Sequence, residues 1–342
     1  MKKTCFMVLT VMVFISISLL TTSAEPLPGK TEAWKDLHEK AKKEGVVIFN
    51  TIMPDLEAYK PVIDAFEKRF PGVKVKLIST GGAETAPRII TEARARKISM
   101  DVARGGINGM IAVYERDLIA QYDWTGFGIP KGRIHMDGRN LDYIPGAWTI
   151  YYNSKFVSKA EAPRTWEDLL DPKWKGKICL HRASPNIPGL ALAWGEKKWK
   201  AYIEKLAKQD VVPGVRSPDV LQKVTSGEVW IGNGGLHMIL PARKKGSQID
   251  ITSISPHGDT DTDLVSFKGC PHPHAAKLFM AWSMIPEAEK ALELTGYAFD
   301  AEKRQIIQDL GIKTVPMESI EDAKFANKMR GEFKKIMGFS AR

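Results

Sequence analysis

Tyr143-Ile-Pro-Gly-Ala-Trp-Thr-Ile-Tyr-Tyr-Asn153 lies near the middle of the 342-residue chain, and its reading decides the fold. Its aromatic and β-branched residues suit an extended strand. On either side, short apolar runs alternate with amphipathic helical segments, the pattern of an α/β architecture. A strand between two such halves predicts a hinge, where the chain crosses from one α/β lobe to another and later returns. The cleft between the lobes is then the place to look for function.

Upstream of the hinge, Trp34, Leu37 and Ala41 recur at helical spacing after Thr31, and Gly45 ends the helix. Val46-Val-Ile-Phe49 reads as a buried strand, followed by the loop Asn50-Thr-Ile-Met-Pro-Asp55, in which Thr51 is a candidate ligand contact. A second helix puts Ile63, Phe66 and Phe70 on one face, and Val73, Val75 and Leu77 then alternate with lysines as in a half-buried strand. Ser79-Thr-Gly-Gly82 leads into a helix with Pro87 in its first turn, where the missing N–H costs nothing. Asp101-Val-Ala103 is a third strand, with Arg104-Gly-Gly106 as its loop. Each of these strands ends in small or polar residues, and in open α/β sheets that edge binds ligands.

Downstream, Thr165 caps a helix with Asp168 at its third position, and Lys177-Ile-Cys-Leu180 is strand-like. Arg182-Ala-Ser-Pro-Asn-Ile-Pro-Gly189 leads into a helix from Leu190, and Trp199, Tyr202, Ile203 and Leu206 mark another. Gly227–Ile231 reads as a strand and Gly232-Asn-Gly-Gly-Leu-His237 as the loop behind it. Leu264–Phe267 is the returning strand, and a helix begins near His274, delayed by Pro271 and Pro273.

The ends and composition bound the class. Met1-Lys-Lys, an apolar run from Phe6 to Leu20 and Thr22-Ser-Ala24 have the parts of a cleaved secretory signal, so a soluble periplasmic protein starting near Glu25 is expected. The 318 residues after position 24 exceed one ordinary core, which favours two lobes. The formal charge of +10 falls by two, for Lys2 and Lys3, to +8. The lysines alternate with glutamates along helices, and no arginine stripe interleaved with aromatics marks a nucleic-acid surface. Cys179 and Cys270 are left after cleavage, as a bridge or as two buried thiols.

Four segments carry a resemblance: Gly45–Phe49, Phe66-Glu-Lys-Arg-Phe-Pro-Gly72, Ala162-Pro-Arg-Thr-Trp-Glu-Asp-Leu-Leu-Asp-Pro-Lys-Trp-Lys-Gly176 and Gly269-Cys-Pro-His-Pro-His-Ala-Ala-Lys-Leu-Phe279. Over nearly the whole mature chain the sequence resembles the extracellular solute-binding proteins of ABC importers. It is most similar to the branch of ferric-iron-binding periplasmic proteins and their relatives for thiamine, polyamines and phosphonates. The resemblance implies a type II periplasmic-binding-protein fold with two crossover strands. It also implies a small-molecule solute, an inner-membrane permease as partner, a monomer, and no enzymatic activity or cofactor. The expected division is a signal peptide at 1–24, lobe 1 at 25–147 plus 262–305, and lobe 2 at 148–261 plus 306–342. The adjacent tyrosines of the iron-binding members fall here on Leu236 and His237, which speaks against an oxygen-ligated ferric site and leaves His237 as a candidate ligand contact.

Candidate contacts follow from these placements. Thr80, Gly81 and Gly82 offer free N–H groups at a helix start, suited to a carboxylate or phosphate, or else form a tight turn. Ser184 and Asn186 offer the same geometry from the other lobe, or are ordinary caps. Arg104 neutralises an anion or makes a surface ion pair. Trp148 and Tyr152 share strand parity with Ile150 and form a cleft wall or pack the hinge. His257, His272 and His274 are read as structural rather than zinc-binding, and Asp259, Asp261 and Asp263 lack the spacing of a calcium loop. No nucleophile elbow, His-Glu-x-x-His or phosphate loop is present. The expected function is capture of a small anionic organic ligand for import. The alternatives are a metal receptor without the tyrosine pair, or an exported enzyme or sensor on the same fold.

Overall fold

The computed structural model describes residues 26–51, 56–80, 82–144, 148–258, 262–295 and 301–339. The signal segment, Gly81, Asp259 and Asp261 lie outside these residues. Thirteen strands are described: β1 (Val46–Asn50), β2 (Lys74–Ile78), β3 (Val102–Gly105), β4 (Ile134–His135), β5 (Asn140–Ile144), β6 (Trp148–Asn153), β7 (Ile178–His181), β8 (Val212–Gly214), β9 (Ile231–Gly235), β10 (Ile249–Ile251), β11 (His257–Gly258), β12 (Thr262–Ser266) and β13 (Thr314–Val315). They form one sheet in the order β2-β1-β3-β12-β5-β4, a second in the order β10-β6-β9-β7-β8, and a small pair of β11 with β13. The helices are α1 (Thr31–Glu44), α2 (Lys60–Arg69), α3 (Gly82–Arg94), α4 (Ile107–Tyr114), α5 (Leu190–Trp194), α6 (Glu196–Ala207), α7 (Ser217–Ser226), α8 (Leu236–Lys244), α9 (Pro273–Trp282), α10 (Pro286–Glu293), α11 (Ala301–Asp309) and α12 (Ile320–Ile336).

Strand register fixes which edges face the crossings. β1 runs parallel to β2 and β3. β12 runs against β3 with Asp263 opposite Gly105, and Thr262 pairs with Ile144 at the end of β5. The C-terminal ends of β1 to β3 therefore lie where the chain leaves the first sheet and re-enters it. In the second sheet Trp148 opens β6 opposite Gly235, the last residue of β9, and β7 is parallel to β9. The C-terminal ends of β7 and β9 thus meet the same crossing.

Each sheet has its own core. Phe49, Phe66, Phe279 and Trp282 pack the first, with Phe49 and Phe279 centroids 4.9 Å apart. Each such side chain contributes about 1.5–3 kcal/mol through burial. Ile150, Trp166, Trp199 and Ile203 fill one face of the second sheet, and Tyr151, Val220 and Val224 the other. α12 reaches both sheets: Ala323 joins the first core, and Met329 and Phe333 the second.

Several expectations are corrected by packing. α2 buries Val62 with Phe66, while Ile63 is only partly covered. Pro87 lies in the second turn of α3, because the helix already begins at Gly82. The Thr165–Asp168 cap opens a single 3-10 turn, Glu167–Leu170, instead of an α-helix. Residues 227–230 form a turn after Gly227 caps α7 in the left-handed region (φ 83°), and the glycine run expected to be a loop is strand β9. Close packing explains that run: a Cβ on Gly232 would stand 2.8 and 2.9 Å from Val224 and Val220 of α7 and 3.1 Å from the ring of Tyr151, its strand partner, and one on Gly234 would stand 3.3 Å from the same ring. Glycine is needed there for close approach, not for a bend. Cys179 and Cys270 are buried free thiols.

Candidate functional site

The first sheet brings a set of hydrogen-bond donors to its crossing edge. Arg104 lies on β3, not in a loop, and is 9% exposed. By strand alternation it shares a face with Val102, and Leu264 stands opposite it on β12. Tyr143, two residues beyond Leu141 on β5, is close enough for Arg104 to stabilise its ionised form. Burial prevails and holds the Tyr143 phenol well above its ordinary pKa, with Tyr59 adding to the rise and Arg104 opposing it. The phenol is therefore a neutral donor. Tyr59 and Thr51 are wholly buried beside the same edge. The Tyr59 and Tyr143 phenols lie close enough for a hydrogen bond between them to add to the Tyr143 shift, short of full hydrogen-bond geometry, and Thr51 Oγ1 has no hydrogen-bond partner among the described residues. Buried hydroxyls usually find a partner, so this edge has room for an acceptor.

Thr80 is placed by its neighbours. Its N–H donates to Asn50 Oδ1 at 2.9 Å, and Asn50 Nδ2 donates to Thr80 Oγ1 at 2.8 Å and to Thr85 Oγ1 at 3.0 Å. This knot ties the ends of β1 and β2 to α3, whose first residue is Gly82.

The second sheet presents a polar network. Asn233, fully buried on β9, accepts from His181 N–H at 2.8 Å and donates to Ser184 Oγ at 3.1 Å and Asn186 Oδ1 at 3.2 Å. Asn186 Nδ2 contacts His257 Nδ1 at 3.0 Å, joining β11 to the network. Ser184 and Asn186 are themselves fully buried, so their side chains position the loop behind β7. Trp148 is half-buried at the edge, its ring centroid 5.4 Å from that of His181 in an edge-on contact. His237 lies exposed in the first turn of α8, with its ring against Gly235, while Leu236 is buried in the core.

Thr51, Thr80, Gly82, Arg104, Trp148, Ser184, Asn186 and His237 thus sit at the two crossing edges. Tyr152 does not. It is four strand steps from Trp148, about 13 Å at the usual strand rise. It is 2% exposed, reaches Asp250 Oδ2 at 3.4 Å and helps line a cavity of about 440 Å³ with Arg164 and Arg243. Parity with Ile150 places Tyr152 on the core face rather than the cleft wall. The residues that sequence reading missed are Tyr59, Tyr143, His181 and Asn233. Only Asn233 carried a usable signal, as the one amide within a glycine run.

A putative 2-aminoethylphosphonate-binding periplasmic protein of Salmonella typhimurium is 26% identical over 208 residues, 56% of this chain and 57% of that protein. The chain therefore matches just over half the length of that curated relative. An apo ferric-ion-binding protein A of Pasteurella haemolytica superposes with a TM-score of 0.71 at 19% identity, over 87% of this chain and 99% of that one. The periplasmic binding protein AfuA of Actinobacillus pleuropneumoniae, with fructose-6-phosphate bound, superposes with a TM-score of 0.62 at 19% identity, over 86% and 98%. These neighbours share the two-lobed type II periplasmic-binding-protein fold. The sequence profile of the bacterial extracellular solute-binding proteins matches residues 62–298, and the chain belongs to that family.

Proposed function

We propose that this protein captures a small organic solute bearing a phosphonate, phosphate or comparable oxyanion and delivers it to the permease of an ABC importer. In this reading residues 1–24 are removed on export, and a periplasmic monomer remains. Lobe 1 (25–147 with 262–305) and lobe 2 (148–261 with 306–342) close on the ligand. The observation that carries the reading is the donor cluster of lobe 1: a largely buried Arg104 with the buried hydroxyl of Thr51, which has no hydrogen-bond partner among the described residues, and the mutually contacting phenols of Tyr59 and Tyr143. Guanidinium and neutral hydroxyls donate, and an oxyanion accepts several such bonds at once. Thr80, Gly81, Gly82, Trp148 and His237 would line the same space, with the buried Ser184 and Asn186 supporting it from behind.

The anionic ligands named for the Salmonella and Actinobacillus proteins support the same chemistry. A ferric site finds less support. Leu236, at one of the two positions where the iron-binding members carry tyrosine, is core.

Titration calorimetry with 2-aminoethylphosphonate, fructose-6-phosphate, inorganic phosphate and ferric citrate tests the proposal. Saturable binding of a metal-free anion is expected, with compaction by small-angle scattering. Arg104→Met should lower that affinity at least about tenfold, since truncating one partner of a buried charged hydrogen bond costs about 2–5 kcal/mol. Stoichiometric ferric uptake with a visible charge-transfer band, and no metal-free anion bound, would overturn it.

A further inference from the structure

His181 closes β7 at the crossing edge, and its backbone is held on both sides. Its N–H donates to Asn233 Oδ1 at 2.8 Å, and its carbonyl accepts from Ser184 Oγ at 2.6 Å. The ring is held as well, because Ala183 N–H donates to His181 Nδ1 at 3.0 Å. An amide nitrogen can only donate, so Nδ1 carries the lone pair and the neutral ring bears its proton on Nε2. The ring stands edge-on to Trp148, the first residue of β6, with an interplanar angle of 78°. Among the described residues Nε2 has no hydrogen-bond acceptor.

Protonation would set a second N–H against the Ala183 amide. Burial, and then the nearby Lys334 charge, also lower the pKa of the ring. The side chain is thus a neutral donor with fixed tautomer and fixed backbone at the C-terminal edge of the second sheet, where open α/β sheets bind ligands.

We propose that His181 Nε2–H is the ligand donor of lobe 2, giving a hydrogen bond to an oxyanion oxygen of the captured solute while Trp148 walls the same subsite. This rests on the oxyanion reading above. Lobe 1 would then supply the positive charge through Arg104, and lobe 2 an uncharged, directional contact. Ser184 and Asn186 act from behind, through Asn233, by fixing the strand end that carries the ring.

The test combines variants with a measurement on the unaltered protein. Calorimetry at neutral pH would use 2-aminoethylphosphonate and inorganic phosphate separately. His181→Phe keeps the ring against Trp148 and removes the donor, so it should weaken whichever anion binds about 10- to 100-fold, the effect of one hydrogen bond to a charged acceptor. His181→Gln restores an N–H donor and should recover most of that loss. In the ¹⁵N-labelled wild type, His181 should show an unprotonated Nδ1 and a protonated Nε2, whose proton shifts when the anion is added. Binding by His181→Phe within twofold of wild type, or an Nδ1–H tautomer, would overturn the role of His181 alone. If the folded wild type bound neither of these probes nor fructose-6-phosphate, the oxyanion reading would fall and this inference with it.

Discussion

Asn233→Ala is the sharpest test of how the second lobe is built. The substitution removes three hydrogen bonds, but their loss is unequal. Ser184 Oγ still donates to His181 O at 2.6 Å, so it stays satisfied. The His181 N–H loses its acceptor, and Asn186 Oδ1 loses its donor. Each orphaned buried group costs about 1–3 kcal/mol, so a loss of about 2–6 kcal/mol is expected. That is a large share of the roughly 5–15 kcal/mol that holds a domain folded. A two-lobed chain need not unfold in one step, so urea transitions should be read with amide exchange at β7 and β9. Exchange should accelerate at both strands and stay unchanged in β1 and β2. A loss under about 1 kcal/mol, or faster exchange spread equally over both sheets, would refute the claim that this amide organises the edge.

Three further outcomes follow from burial and charge. His257 is buried at the Asn186 contact, and burial pulls its pKa from 6.5 down to about 4, with a backbone contact at Ile254 partly opposing. The unfolded chain binds this proton first, so stability is full above pH 6.5 and falls between about pH 6.5 and 4, by roughly 3 kcal/mol in all. Denaturation across that range should show the slope, and His257→Asn should flatten it. Burial raises the thiols of Cys179 and Cys270, to about 12 and about 11, so alkylation at pH 8 read by mass should proceed only with unfolding. Tyr152→Phe removes a long hydrogen bond to Asp250, so anion affinity should change less than twofold and stability by at most about 1 kcal/mol.

The parts of the fold legible in the sequence are those where one local rule decides. Gly45 takes the left-handed cap of α1 (φ 76°). Thr165 and Asp168 form the expected reciprocal bonds, Asp168 N–H to Thr165 Oγ1 at 3.2 Å and Thr165 N–H to Asp168 Oδ2 at 3.0 Å. The illegible parts depend on a partner distant in sequence. Gly232 and Gly234 read as loop residues because part of what they accommodate, the ring of Tyr151, lies some eighty residues earlier, with Val220 and Val224 of α7 closing on Gly232. The candidate site divides in the same way. Arg104, Thr51 and Trp148 are legible as candidates because they lie at strand ends or the hinge, whereas Tyr59 and Tyr143 look like core aromatics until the fold brings Tyr143 near Arg104 and Tyr59 against Tyr143. His181 carries no signal in one dimension, since its character is set by Ala183 and Asn233.

The same register bears on how the proposed closure would be powered. Besides the strand crossings, α12 links the two sheets. Its Lys324 meets Glu115 near the end of α4 at 2.7 Å, with side chains 46% and 42% exposed, and its Asn327 Nδ2 donates to Asn108 O at 3.2 Å. An exposed pair is worth about 0–1 kcal/mol and a single hydrogen bond about 1 kcal/mol. In the proposed closure, exchanging these two contacts would be inexpensive. Moving an equilibrium from 1:99 to 99:1 requires about 5.5 kcal/mol of preferential binding, which a few charge-assisted hydrogen bonds formed only in the closed state can provide. Those bonds must then come from both lobes at once. A donor cluster on one edge without a preset donor on the other would bind the ligand without closing on it.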